Sequence, residues 1–137
     1  MADSIQLMVV TPDRVVLSEE VDRVEVPGSE GYFEVLPKHT PFLTSIKTGQ
    51  VLYAKDGREE LISTDGGFVE VLMDRVTILA ETAEKAHEID QARAEEARQR
   101  AERILKERDS DTDVARAEAA MRRALNRLTV VKRAQSG

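Results

Sequence analysis

Cysteine and tryptophan are both absent from this sequence of 137 residues. Without cysteine there is no disulfide, no thiolate metal site and no thiol nucleophile. All the aromatic residues (Tyr32, Phe33, Phe42, Tyr53 and Phe68) lie in the first half. The second half therefore has no stacking platform, and it is close to electrical neutrality. A nucleic-acid-binding domain needs a basic face and usually aromatic partners for the bases, so that class is excluded. No apolar run approaches the ~20 residues that span a bilayer. The start Met1-Ala2-Asp3-Ser4 lacks the basic-then-apolar pattern of a signal peptide. The expectation is a protein that meets a membrane only through partners.

Charge divides the chain. Residues 1–82 hold 7 basic and 15 acidic residues, a balance of -8, and residues 83–137 hold 13 basic and 11 acidic, a balance of +2; together they make the -6 of the whole. Hydrophobic patterning divides it at the same place. In the first part Ile5, Leu7 and Val9, then Val24 and Val26, Phe33 and Val35, and Val76, Ile78 and Ala80 recur at every second position. That period predicts strands with one buried face. Turn residues interrupt them at short intervals, and Asp56-Gly57 carries the signal of a two-residue hairpin. No helical crossover is long enough to make the sheet parallel, so an antiparallel sandwich is expected.

From Glu81 to Lys132 there is neither glycine nor proline, and alanine, glutamate and arginine dominate. Ala94, Ala97, Ala101 and Ile104 keep a helical period, as do Val114, Ala117, Met121, Ala124, Leu128 and Val131. Two helices are predicted, roughly 84–107 and 113–132, joined by the cap-rich Asp109–Asp113. A short connection makes them antiparallel neighbours. The fold class is α+β: a β-sandwich over residues 1–82, then an antiparallel two-helix hairpin over 83–137. Because the seam is mostly alanine, the hairpin should be weakly held, at roughly 0.8 kcal/mol per buried methylene.

Catalytic chemistry is missing. Gly28-Ser29-Glu30-Gly31 lacks the spacing and the Lys-Ser/Thr of a phosphate-binding loop. His39 and His87 have no ligand-like companions, so no metal site is expected. Most carboxylates and basic groups suit a solvated helical face, with Glu96–Arg100, Glu102–Lys106 and Glu118–Arg122 spaced for i,i+4 pairs. Asp90, Arg93 and Arg100 share one side of the first helix, and Arg123 and Arg127 are i,i+4 on the second. The residues alone leave two readings of these arginines: an anion site, or an ordinary solvated surface. They also leave open an adaptor in which the hairpin dimerises.

Three stretches carry a resemblance. Val26-Pro27-Gly28-Ser29-Glu30-Gly31-Tyr32-Phe33-Glu34-Val35-Leu36-Pro37-Lys38-His39-Thr40-Pro41, Gly66-Gly67-Phe68-Val69-Glu70-Val71 with Val76–Glu81, and Ile89-Asp90-Gln91-Ala92-Arg93-Ala94 resemble, in order and at the right spacing, the signature segments of the epsilon subunit of bacterial F-type ATP synthases. The resemblance implies a non-catalytic rotor component of the central stalk. It would be bound to the gamma subunit and the c-subunit ring, on the cytoplasmic face of the inner membrane, coupling catalysis in the alpha/beta hexamer to proton translocation. It further implies that the helical hairpin inhibits ATP hydrolysis when extended, and that no cofactor is required, ATP being a regulatory ligand. Residue by residue it implies that Glu30, Gly31 and His39 face gamma and the c ring. Glu84, Ile89, Asp90, Arg93, Arg100, Arg123 and Arg127 match ATP contacts. Arg116, Arg122, Arg123 and Arg127 match contacts to the catalytic beta subunit.

Overall fold

The computed structural model describes residues 3–136. The chain forms two compact units, residues 1–85 and 86–137. The first consists of eight strands: β1 (Ile5–Val10), β2 (Val15–Val21), β3 (Arg23–Gly28), β4 (Gly31–Val35), β5 (Phe42–Ser45), β6 (Gly49–Lys55), β7 (Arg58–Val71) and β8 (Arg75–Lys85). The hydrogen-bonded path runs β2-β1-β8-β7-β6-β3-β4, and β5 pairs with β7. Every pair is antiparallel except β1 with β8. That parallel pair escapes the argument from missing crossover helices, because the strands between β1 and β8 themselves serve as the long connection a parallel pair needs.

β7 holds the sandwich together. Its first half, Arg58 to Thr64, pairs with β6, and its last residues, Phe68 to Val71, pair with β5. β8 runs along the other side of both stretches. Between them sit Gly66 (φ +61°) and Gly67 (φ +116°), conformations that side chains disfavour. The Asp56-Gly57 hairpin forms as expected: both residues have positive φ, and Lys55 pairs with Arg58.

The core collects the inward positions of the period-two pattern, among them Ile5, Leu7, Val9, Val24, Val26, Val51, Ile62, Val69, Val71, Val76 and Ile78. Phe33 and Phe42 close one side of it, edge to face with ring centroids 5.0 Å apart. Tyr53 also lies in this cluster. Burial, with the nearby charges of Glu19 and Glu60, pushes its phenol up from 10.0 to about 12. A raised phenol favours the folded state fully below the unfolded value, and that contribution is lost as pH rises through the folded one. Unfolding midpoints in urea should therefore fall between pH 10 and about 12, and Tyr53→Phe should flatten that alkaline limb.

The second unit starts with a single 3-10 turn (Ala86–Glu88), followed by α1 (Gln91–Lys106) and α2 (Val114–Ser136). α1 begins later than the composition predicts. Glu84 and Lys85 are good helix formers, but here they pair with Ser63 and Ile62 and end β8. Ala94, Ala101, Ala117, Ala124 and Val131 are buried as expected of a seam, but Ile104 is 49% exposed. No helix of the described residues is long and apolar enough to cross a membrane.

Candidate functional site: an arginine-bearing hairpin and an apolar row on the body

Each helix of the hairpin is started by an aspartate. Asp90 is the N-cap of α1, its carboxylate accepting the Arg93 backbone N–H at 3.1 Å. Asp113 does the same for α2, accepting the Arg116 N–H at 3.0 Å. An aspartate at this position satisfies an orphan donor and opposes the positive end of the helix dipole. The Ile-Asp-x-x-Arg-Ala stretch is thus first a helix start: Ile89 is half-buried, Asp90 caps, Arg93 is exposed and Ala94 is buried in the unit.

The charge pattern on α1 differs from the simple i,i+4 expectation. Arg98 sits between Glu95 and Glu102, 2.5 Å from each, and Lys106 adds a 3.0 Å pair to Glu102. The hydrogen bond from Arg98 holds the Glu95 carboxyl below the usual range, and Lys106, then Arg98, does so for Glu102. The expected Glu102–Lys106 pair forms. Glu96–Arg100 and Glu118–Arg122 do not. Arg98 therefore engages two of the carboxylates of α1, and the side chains of Arg93, Arg100, Arg116 and Arg122 make no ion pair among the described residues.

On α2, Arg123 and Arg127 are half-buried on one face, whereas Arg116 and Arg122 are exposed. The adjacent pair Arg122–Arg123 is thereby separated: Arg123 shares the side of Arg127, and Arg122 points away. Of the positions that the resemblance matches to ATP contacts, Glu84 belongs to the first unit, half-buried on β8, and the others belong to the second.

On the body, Ser29 and exposed Glu30 form the two-residue turn between β3 and β4, and Gly31 takes φ +133°. The turn is tied to Ser45 at the end of β5, the Ser29 N–H donating to its carbonyl at 3.0 Å. His39 lies on the β4–β5 connection, its Nδ1 2.8 Å from the Thr40 carbonyl oxygen and its ring 5.4 Å from that of Phe42, the first residue of β5. Glu30 and His39, close in sequence, thus sit at opposite ends of a four-residue strand, about 10 Å apart along it.

Register reveals a feature that sequence reasoning missed. Val15 pairs with Val10, Val10 with Leu79, Leu79 with Phe68, and Phe68 with Ser45. These residues form one row across β2, β1, β8, β7 and β5 on the face away from the core. Val15, Phe68 and Leu79 are each more than half exposed, and Leu43, diagonal to Phe68 on β5, is 69% exposed. An apolar row on an open sheet face marks an interaction surface. Its signal was present as apolar residues at outward positions of the alternation, but only the pairing register joins them.

Comparison with known proteins agrees with these two units. Residues 4–86 match the family model described as the ATP synthase Delta/Epsilon chain beta-sandwich domain, and residues 87–132 match that of the Delta/Epsilon chain long alpha-helix domain. The chain is 54% identical over 128 residues to the ATP synthase epsilon chain of Herpetosiphon aurantiacus, covering 93% of this chain and 94% of that one. It is 50% identical over 134 residues to the corresponding chain of Desulforapulum autotrophicum, covering 96% and 98%. A chain in the cryo-EM structure of the Euglena gracilis mitochondrial ATP synthase, OSCP/F1/c-ring, has the same fold with a TM-score of 0.79 at 21% identity, over 96% of this chain and 81% of that one.

Proposed function

The chain belongs to the ATP synthase Delta/Epsilon family, as an epsilon subunit, and from that premise we propose that it works as a two-part regulator of the rotor. The β-sandwich seats on gamma and the c ring, coupling catalysis in the alpha/beta hexamer to proton translocation at the cytoplasmic face of the inner membrane. The helices restrain ATP hydrolysis. The observation that carries the seating is the Val15–Val10–Leu79–Phe68 row. The epsilon subunit performs no chemistry itself, which agrees with a sequence that offers no catalytic constellation.

The hairpin's arginines support the regulatory half. Arg93 and Arg100 lack ion-pair partners among the described residues, and Arg123 and Arg127 share one half-buried side of α2. Guanidinium groups of this kind bind phosphate oxygens bidentately. In this reading the helices take ATP through Arg93, Arg100, Arg123 and Arg127, while Asp90 fixes the helix start that aims Arg93. In the inhibitory state Arg116, Arg122, Arg123 and Arg127 meet carboxylates of the beta subunit. ATP then favours the state in which the arginines are occupied, and inhibition is set by the difference in affinity between the two states.

Calorimetry of the full chain with ATP tests the site. Arg93→Ala should weaken ATP at least ~10-fold, the loss of one charge-assisted contact of about 1.5–3 kcal/mol. Unchanged affinity in the variant would remove Arg93 from the site.

A further inference from the structure

An aspartate followed by glycine occurs twice in the chain, at Asp56-Gly57 and Asp65-Gly66. Such a pair is chemically reactive. Glycine has no side chain to keep its amide nitrogen away from the carboxyl carbon of the preceding aspartate, and the attack is intramolecular. The fold treats the two pairs in opposite ways.

Asp56 and Gly57 form the tip of the β6–β7 hairpin, where every residue from 55 to 60 is exposed. A two-residue turn leaves its central peptide groups out of the ladder. Among the described residues the Gly57 N–H donates to no acceptor, and the Asp56 carboxylate accepts from no donor. A Cβ added at Gly57 would meet nothing within 4 Å. Turning the peptide between the two residues, so that the nitrogen reaches the carboxyl carbon, disturbs the last pair of the ladder, Lys55 with Arg58, and the 3.2 Å hydrogen bond from the Asp56 N–H to Asp22 Oδ2. The open end of a hairpin gives way long before the sheet does.

Asp65 is held on all sides. It lies inside β7, half-buried, and pairs with Thr82 of β8. Its carboxylate accepts the Thr48 hydroxyl. The Glu81 carboxylate stands 3.1 Å from where a Cβ on Gly66 would be. Turning the peptide between Asp65 and Gly66 would open the β7–β8 ladder between the Thr64–Ala83 and Gly67–Ala80 pairs.

We propose that Asp56-Gly57 is a modification site, at which isoaspartate forms in the folded protein with water as the only co-reactant. The Gly57 nitrogen adds to the carboxyl carbon of neutral Asp56. The amide proton and the carboxyl hydroxyl leave as water, and a succinimide ring closes. Water then opens the ring. Attack at the side-chain carbonyl restores aspartate. Attack at the backbone carbonyl breaks its bond to the Gly57 nitrogen and gives isoaspartate, which has the mass of the parent. The main chain of the turn now runs through the Asp56 Cβ, and the carboxylate sits on Cα. This lengthened tip loosens the corner where the Asp22 N–H donates to the Ala54 carbonyl at 2.7 Å and Arg23 pairs with Glu59. None of these residues belongs to the Val15–Val10–Leu79–Phe68 row, so the mark leaves that surface as it is.

The test is to incubate the full chain in mildly acidic buffer and digest it with chymotrypsin. Cleavage after Tyr53, Leu61 and Phe68 puts the two pairs in separate peptides, 54–61 and 62–68. Electron-transfer fragmentation then distinguishes isoaspartate from aspartate at equal mass. Isoaspartate should accumulate at Asp56 at least ~10-fold faster than at Asp65, the gap between a hairpin end and a closed ladder. In urea the two rates should converge, because the local chemistry is the same. Asp56→Asn forms the same ring with loss of ammonia and should give isoaspartate sooner, whereas Asp56→Glu, which would need a larger ring, should give no rearranged product. Equal rates at the two pairs in the folded chain would overturn the proposal. So would the absence of isoaspartate at Asp56 in the folded chain, whether or not it forms in urea.

Discussion

Replacing Leu79 by aspartate should weaken binding of the full chain to the gamma subunit by roughly 100-fold, without a measurable change in its unfolding midpoint. Leu79 is 54% exposed and lies in the middle of the apolar row, with Val10 on one side and Phe68 on the other. In the free protein the substitution only changes what faces water, and exposed substitutions of this kind usually stay within about 0.5 kcal/mol. In the complex the carboxylate would be buried against an apolar surface with no partner. Central, fully desolvated positions of an interface typically cost 2 kcal/mol or more on truncation, and an unpaired charge adds to that; about 2.7 kcal/mol corresponds to 100-fold. Glu70, close by on β7 and already charged, is the control: Glu70→Gln should change affinity little. Surface plasmon resonance with immobilised gamma reads both. If Leu79→Asp binds as tightly as the parent, the row is not the seat.

The second large effect is on stability. Gly67→Ala should destabilise the body by about 3 kcal/mol or more, read as a shift in the urea midpoint with unchanged slope. Gly67 has φ +116°, and a Cβ there would lie 1.9 Å from the Leu79 carbonyl oxygen and 2.9 Å from the Ala80 Cα. Both obstacles are backbone in the neighbouring strand, so no side chain can swing aside; the ladder between β7 and β8 must open. Gly31→Ala separates strain from clash. Its φ of +133° is equally unsuited to a side chain, but nothing lies within 4 Å of the added carbon. That variant should cost only the backbone strain, about 1–3 kcal/mol. The comparison bears on function because Gly67 precedes Phe68 and sets its register against Leu79.

Much of this architecture is legible in the sequence. The period-two runs became strands, Asp56-Gly57 became a two-residue hairpin turn, and the glycine- and proline-free stretch became two helices. What escaped was what depends on pairing between distant segments. Glu84 and Lys85 have helical propensity, yet the edge of β7 offers them hydrogen bonds first, and α1 waits for Asp90. The parallel β1–β8 pair has no local signature at all. Ile104 fits the helical period, but the seam is filled by alanines that let the helices approach, and Ile104 stays outside.

The sites were legible to different degrees. The grouping of Arg123 with Arg127, rather than Arg122, needed the exposure of each residue in the folded helix. The apolar row needed the register of five strands. Arg98 illustrates the opposite lesson. Its spacing from Glu95 and Glu102 was as plain as that of the expected pairs, yet it is Arg98 that engages two carboxylates while the expected Glu96–Arg100 pair does not form.

The division of labour between body and hairpin is the central claim, and one comparison tests it most directly. ATP hydrolysis by an epsilon-depleted F1 sector is measured after adding either the full chain or a chain ending at Glu88, with co-sedimentation of gamma followed in the same samples. Both proteins should co-sediment with gamma, because the sandwich and its apolar row are intact in each. Only the full chain should slow hydrolysis. Inhibition by the shortened chain, or its failure to hold gamma, would contradict the account.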